Sequence, residues 1–259
     1  LDGDESVRDR LDDAGVRVVS LPEAYGGRIG SVLDRTLPLQ PDPLVPLVRS
    51  VAGGVAADIE ASVDVLATHR FLEDLVLSNL LDVPTVYQYH NVTQVGAGAA
   101  LREGFTGSSV HLANSNTIAD EVRRKLGRSV DGIVSPGVDT TQFSPSAADG
   151  RYAGRETVLF VGRVVRSKGV FDLLAAMGRM DRSPRLVVVG DGNLSAARDR
   201  AHAHGVADSV DFRGELDHEA LAGHYASADV VCNPTHYEGF GMVNVEAMAC
   251  GTPVVTTDI

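Results

Sequence analysis

Residues 233–253 have the sequence NPTHYEGFGMVNVEAMACGTP, which places two carboxylates around a glycine-rich turn. Glu238 precedes the turn, and Glu246 lies one helical turn after Met242 in a segment whose composition favours a helix. The free N–H groups and positive dipole at a helix start attract phosphate oxygens, and glycine lets a ligand approach the backbone closely. The stretch therefore predicts a diphosphate site between the two carboxylates.

Composition limits the class of protein. The chain has 259 residues, 44% of them hydrophobic, which is enough material for a sizeable core and up to two domains. The net charge of −12, without a basic cluster interleaved with aromatic residues, argues against nucleic acid as a partner. No apolar run reaches the roughly 18 residues of a membrane span. The basic cluster at residues 123–125 is interpreted as the last turn of a helix, so a membrane-surface role is possible but not indicated.

The two cysteines point to a reducing compartment. Cys232 and Cys250 lack metal-type spacing and lie in apolar or small-residue segments, so we predict buried free thiols. Without a disulfide framework, the sequence favours a cytoplasmic location.

Short β-rich runs alternate with helical segments along the chain, which predicts βα units and parallel sheets. The predicted strands include residues 16–19, 63–67, 85–89, 110–113 and 132–134, then 158–161, 186–189, 210–212, 230–232 and 253–255. Polar residues 147–150 interrupt the pattern, so we predict domains at 1–150 and 151–259. In doubly wound domains, ligands bind at the carboxyl ends of the strands.

Two further segments carry a family resemblance. Residues 157–170 read TVLFVGRVVRSKGV, and residues 137–145 read GVDTTQFSP. With the Glu-x7-Glu motif at Glu238 and Glu246, they resemble retaining nucleotide-sugar glycosyltransferases of GT-B architecture, the glycosyl transferases group 1 or family 4 type. The resemblance implies an α/β fold in which two Rossmann-like, doubly wound domains face a cleft. The resemblance makes the first domain the acceptor-side domain and the second the nucleotide-sugar-binding domain. Compared with that family, both domains look incomplete, so we expect a fragment truncated at both ends.

The resemblance also assigns roles to residues. It implies that Arg163 and Lys168 bind the donor diphosphate, as a guanidinium fork and an ammonium can. Glu246 matches a position that accepts hydrogen bonds from the nucleotide ribose, and Glu238 matches one beside the donor sugar. Further donor contacts are expected from Phe240, Gly241, Met242 and Val243.

A histidine in the first half completes the expected site. His90 follows the predicted strand at residues 85–89 and resembles a family histidine that contacts the donor sugar, so we group it with Glu238 as a catalytic residue without calling it a general base. His69 follows another predicted strand in a similar way.

The expected activity is transfer of a hexose from a UDP- or GDP-sugar to an acceptor hydroxyl, with retention at the anomeric carbon. The acceptor could be a lipid, a polysaccharide or a small molecule. No metal or other cofactor is expected, since Arg163, Lys168 and the helix start can neutralise the diphosphate. A GT-B nucleotide-sugar epimerase and a non-catalytic nucleotide-binding fragment remain alternatives. A nicotinamide enzyme is not favoured, because the turn at Gly190 and Gly192 lacks the third glycine of the fingerprint.

Overall fold

A computed structural model describes residues 56–69, 71–92, 107–108 and 110–259. The chain divides into two compact units, Leu1–Ile133 and Val134–Ile259. The strand predicted at residues 16–19 lies outside the described residues. Each unit contains a parallel sheet and helices, so the α/β prediction is confirmed.

The described part of the first unit is a four-stranded parallel sheet in the order β1-β2-β3-β4. Its strands are β1 (Leu66–Thr68), β2 (Thr85–Tyr89), β3 (Val110–Ala113) and β4 (Gly132–Ile133), and its helices are α1 (Ala56–Glu60), α2 (Phe71–Leu80) and α3 (Asn116–Leu126). Ser115 begins α3 by accepting a hydrogen bond from the backbone N–H of Ile118, and Gly127 ends it with a left-handed φ of 68°. The basic cluster at residues 123–125 lies in the last turn of α3, as predicted, and the structure adds an ion pair between Lys125 and Glu121.

The second unit is a five-stranded parallel sheet in the order β7-β6-β5-β8-β9. Its strands are β5 (Thr157–Val161), β6 (Arg185–Val189), β7 (Val210–Gly214), β8 (Val230–Asn233) and β9 (Val254–Thr256). Its helices are α4 (Val170–Met177), α5 (Leu194–Ala203), α6 (His218–Ser227) and α7 (Met242–Ala249). All predicted strands within the described residues are present, with ends shifted by a few residues.

Both faces of the central strand β5 are buried. Leu159 packs into one hydrophobic core and Phe160 into the other, and each is 0% exposed. A strand covered on both sides has no polar face, which explains the unbroken apolar run that follows Thr157. The second unit is therefore a doubly wound sheet covered on both faces.

The order in which the chain adds strands to this parallel sheet reverses next to β5. From β5 the chain adds β6 and β7 on one side, and it then returns to place β8 and β9 on the other side. Such a reversal opens a crevice between the loops that leave the two neighbouring strands, because those loops turn to opposite faces. The loops after β5 and β8 are the ones that border it.

The segment before β5 packs with the second unit. Phe143 is 1% exposed and lies in the same core as Leu159 and Tyr225. The domain boundary after residue 150 stays a prediction. The compact second unit of the structure begins at Val134 and includes residues 134–150. Cys250 is buried and Cys232 half-buried, both as free thiols, and burial raises the pKa of each. In the described part of the chain, no helix is long and apolar enough to cross a membrane.

Candidate active site

Glycines bring the loops at the reversal point into close contact. At Gly169, with φ 72°, an added Cβ would lie 1.8 Å from the Pro234 carbonyl oxygen. At Gly190, with φ 136°, it would lie 2.1 Å from the Gly162 carbonyl oxygen. Only glycine fits such approaches, so Gly169 and Gly190 let the loops after β5, β6 and β8 pack backbone to backbone.

Hydrogen bonds join the loop after β5 to the loop after β8. The Ser167 carbonyl oxygen accepts from the Thr235 hydroxyl at 3.1 Å and from the His236 backbone N–H at 2.8 Å. Thr235 is 1% exposed, and its hydroxyl also lies 2.8 Å from the Tyr237 carbonyl oxygen. The motif after β5 and the motif after β8 are therefore hydrogen-bonded to each other, although about 70 residues of sequence separate them.

Lys168 and Glu238, which were predicted separately as site residues, form an ion pair between these loops. The Lys168 ammonium lies 2.8 Å from Glu238 Oε2, and both side chains are 25% exposed. The ammonium has three N–H donors, so one can hold Glu238 while the others reach a ligand. Arg163 is exposed on the same loop, and among the described residues its guanidinium has no carboxylate partner. The loops thus combine a neutral ion pair with an additional positive charge.

A helix starts directly after these loops. Gly241 is buried, adopts a left-handed φ of 87° and precedes the first residue of α7 without offering a side-chain cap. The first-turn N–H groups therefore lack the side-chain acceptor that commonly satisfies them, which suits an anion. Phe240, Met242 and Val243 are half-buried at this point. Loops, ion pair and helix start lie together at the carboxyl edge of the sheet.

Glu246 lies on α7, and its carboxylate has two hydrogen-bond partners that the sequence did not predict. Its side chain is buried, with Oε2 2.7 Å from the Tyr225 hydroxyl and Oε1 3.1 Å from His218 Nε2. The pKa of Tyr225 is raised, first by burial and then by the Glu246 charge, so this hydroxyl keeps its proton and donates. Both partners are more than 20 residues away in sequence on α6, and no local pattern marks them.

The first unit also has polar side chains at the carboxyl edge of its sheet. His69 follows β1 and His90 follows β2, and His69 Nδ1 lies 3.0 Å from His90 Nε2. Burial and then the neighbouring His69 lower the pKa of His90. The Asn114 side chain, after β3, donates to the His90 carbonyl oxygen at 3.4 Å. The structure therefore brings the two predicted histidines together.

Comparison with known proteins gives a consistent family. Residues 145–259 match the model of the family "Glycosyl transferases group 1". The chain is 33% identical to a D-inositol 3-phosphate glycosyltransferase of Xylanimonas cellulosilytica, over 95% of the chain and 66% of that protein. It is also 32% identical to a glycogen synthase of Mycobacterium tuberculosis, over 76% of the chain and 52% of that protein. The chain thus spans about half to two thirds of the length of these relatives.

A solved structure shows the same fold. The crystal structure of Anabaena Alr3699/HepE in complex with UDP and glucose superposes with a TM-score of 0.74 at 20% identity, covering 98% of this chain and 71% of that one. The match confirms the GT-B fold class predicted from the motifs. Together with the family match, it shows that this chain carries a glycosyl transferases group 1 domain within a fold shared with GT-B glycosyltransferases.

Proposed function

We propose that the second unit binds the diphosphate and ribose of a nucleotide sugar, and that the whole protein transfers a hexose from a UDP- or GDP-sugar to an acceptor hydroxyl with retention. The observation that carries this proposal is the assembly at the strand reversal. There Lys168 and Glu238 form a 2.8 Å ion pair beside the start of α7, between loops that share backbone hydrogen bonds. This is where doubly wound sheets bind ligands.

Charge distribution supports a diphosphate ligand. A diphosphate that enters beside Glu238 meets a carboxylate that Lys168 already neutralises, so repulsion is small. The Arg163 guanidinium and the positive end of α7 then supply net attraction. As the bond from the sugar to the phosphate breaks, negative charge grows on the leaving oxygen, and these groups stabilise it without reorganising.

The remaining polar residues fit the sugar and the ribose. Glu238 lies at the edge of the diphosphate site, where its carboxylate can bind sugar hydroxyls or stabilise positive charge near the anomeric carbon. Glu246 has oxygens suited to a vicinal diol. In the retaining step, the bond from C1 to the phosphate oxygen breaks, C1 bonds to the acceptor oxygen on the same face, and the acceptor proton moves to the leaving phosphate. His90 is proposed to contact the donor sugar.

The relatives support the donor class. The solved HepE structures contain UDP, UDP with glucose, or UDP-glucose, and the curated relatives include an inositol-phosphate glycosyltransferase and a glycogen synthase. A uridine diphosphate sugar and a polyol or glucan acceptor therefore stand first among the candidates. A lipid acceptor is the next to test.

Calorimetric titration of UDP and of GDP into the chain tests the donor site. We expect saturable binding of one nucleotide, weakened at least about tenfold by Arg163→Ala and by Glu246→Ala, because each removes a charged contact. Arg182→Ala is the matched control, since Arg182 is exposed and pairs with Glu156 just before β5. If the folded whole protein binds neither nucleotide, the proposal is wrong.

Product analysis with the whole protein then separates the activities. Incubation with the donor but no acceptor should leave the nucleotide sugar intact apart from slow hydrolysis. Conversion to an epimer would identify a nucleotide-sugar epimerase instead. Nucleotide binding without transfer to any acceptor tried would indicate a binding domain.

A further inference from the structure

Glu246 is a buried carboxylate, and in the described part of the chain each of its two oxygens has one protein partner. The residue is 5% exposed, Tyr225 donates to Oε2 at 2.7 Å, and His218 Nε2 lies 3.1 Å from Oε1. A buried charge is costly unless hydrogen bonds compensate it. A carboxylate offers about four lone-pair positions, so two partners leave one position on each oxygen. That spacing suits two hydroxyls on adjacent carbons.

Packing fixes Tyr225, and contacts with neighbouring residues hold His218. Tyr225 is 0% exposed, and its carbonyl oxygen accepts from the Thr252 hydroxyl at 2.6 Å, which ties α6 to the turn after α7. The Phe143 ring lies 6.0 Å from the Tyr225 ring and 5.0 Å from the His218 ring. The His218 carbonyl oxygen also accepts from the Gln142 side chain at 3.3 Å. Tyr225 cannot turn away from Glu246 without disturbing this core. The exposed His218 ring is held by its contact with Phe143 and its hydrogen bond to Glu246.

We propose that Tyr225 and His218 are positioning residues that fix the Glu246 carboxylate, and that this arrangement makes the site select ribonucleotides over 2′-deoxyribonucleotides. The inference rests on the proposed donor site and adds the source of its sugar selectivity. A ribose diol donates to both free positions of Glu246. A 2′-deoxyribose donates to one and leaves the other buried lone pair unmatched, which costs affinity. If the carboxylate is free to rotate, it can adapt to a single hydroxyl, and the discrimination falls.

The test is a ratio of affinities, measured by calorimetry with UDP and 2′-deoxy-UDP, or with the GDP pair if guanine is the base that binds. We expect the unmodified protein to prefer the ribonucleotide by at least about tenfold. Tyr225→Phe removes the hydroxyl but keeps the ring, and it should reduce this preference to within about threefold. Tyr152→Phe is the control, because it removes another buried tyrosine hydroxyl in the same unit whose partner is His224.

His218 gives an independent test with less risk to the fold, since its side chain is 62% exposed. His218→Ala should lower the preference, and His218→Gln, whose amide can still donate, should restore it. A merely structural role would change both affinities together and leave their ratio intact. Unchanged ratios in Tyr225→Phe and His218→Ala, with UDP binding still dependent on Glu246, would overturn this inference and leave the donor site standing. Absence of binding to the unmodified protein would overturn both.

Discussion

The two sheets both place polar side chains at the carboxyl edge of parallel strands, but with different electrostatics. In the second unit an ammonium meets a carboxylate, Lys168 with Glu238, between loops that are hydrogen-bonded through their backbones. In the first unit one imidazole meets another, His69 with His90. The opposite charges of Lys168 and Glu238 attract each other, and the ammonium keeps further N–H donors for a ligand. Two imidazoles can share a hydrogen bond only while one ring nitrogen is unprotonated, so that pair depends on pH.

The largest expected effect comes from breaking the close approach of loops in the second unit. Gly169→Ala puts a Cβ against the Pro234 carbonyl oxygen and forces alanine into a left-handed φ. We expect it to lower the free energy of unfolding by about 3 kcal/mol or more, the sum of overpacking and left-handed strain. Urea unfolding, followed by circular dichroism, measures the loss.

Gly150→Ala is the matched control for that change. Gly150 has φ 73°, but no atom lies within 4 Å of its added Cβ. It should lose only about 1 kcal/mol, from backbone strain alone. Equal losses in the two variants would mean that the loops do not need the close approach.

A smaller effect on stability comes from two histidines with lowered pKa values, one in each unit. Burial lowers the pKa of His224 to about 4, and burial with His69 also lowers that of His90. A histidine with a lowered folded-state pKa binds fewer protons folded than unfolded, so stability is lost as pH falls below about 6.5. His224, which is 7% exposed, should account for a loss of about 2 kcal/mol between pH 7 and pH 5.

Substitution can assign that loss. His224→Gln should flatten the pH dependence of unfolding, read from amide hydrogen exchange in β5 and β6. His90→Gln should flatten the corresponding curve for β2 by less, because His90 is exposed. A pH dependence that His224→Gln does not change would contradict the assignment.

Catalysis should respond to the ion pair in the second unit. Glu238→Ala in the whole protein should lower turnover at least about tenfold, or about 1.4 kcal/mol of transition-state stabilisation. Glu156→Ala is the control, because Glu156 pairs with Arg182 at the opposite end of β5. Steady-state assays with the identified donor measure both variants, and unchanged turnover in Glu238→Ala would remove Glu238 from the proposed mechanism.

The smallest expected effect is none at all. If Arg163, Lys168 and the start of α7 neutralise the leaving diphosphate, EDTA should leave the rate of an active preparation unchanged. Activity lost with EDTA and restored by magnesium or manganese would show that the positive charge comes from a metal.

Much of the fold could be predicted from sequence because its signals are local. Apolar runs such as residues 158–161 mark buried strands, and in the structure β5 is buried on both faces. The glycine-rich turn and the helix-favouring composition after it correctly placed Glu246 on a helix that starts after Gly241. The strand ends in the structure differ from the predicted ones by a few residues, because end residues lie between two conformations of similar energy.

The partners of the predicted site residues could not be read in this way. Tyr225 and His218 precede Glu246 by 21 and 28 residues, and the helix that carries them has no motif. Gly190 and Gly192 do not complete a nucleotide fingerprint, and no local pattern predicts that in the structure they lie against Gly162 and Val164. In both cases the missing information was which segments are neighbours in space.

The sequence by itself determined the element types and the α/β class, because propensity and periodicity act within a few residues. The order β7-β6-β5-β8-β9, the pairing of Lys168 with Glu238 and the two hydrogen-bond partners of Glu246 were decided only by the tertiary structure. Strand order depends on which apolar faces bury each other most completely, and that balance involves the whole unit at once. The strand reversal, and with it the candidate site, is a product of that packing.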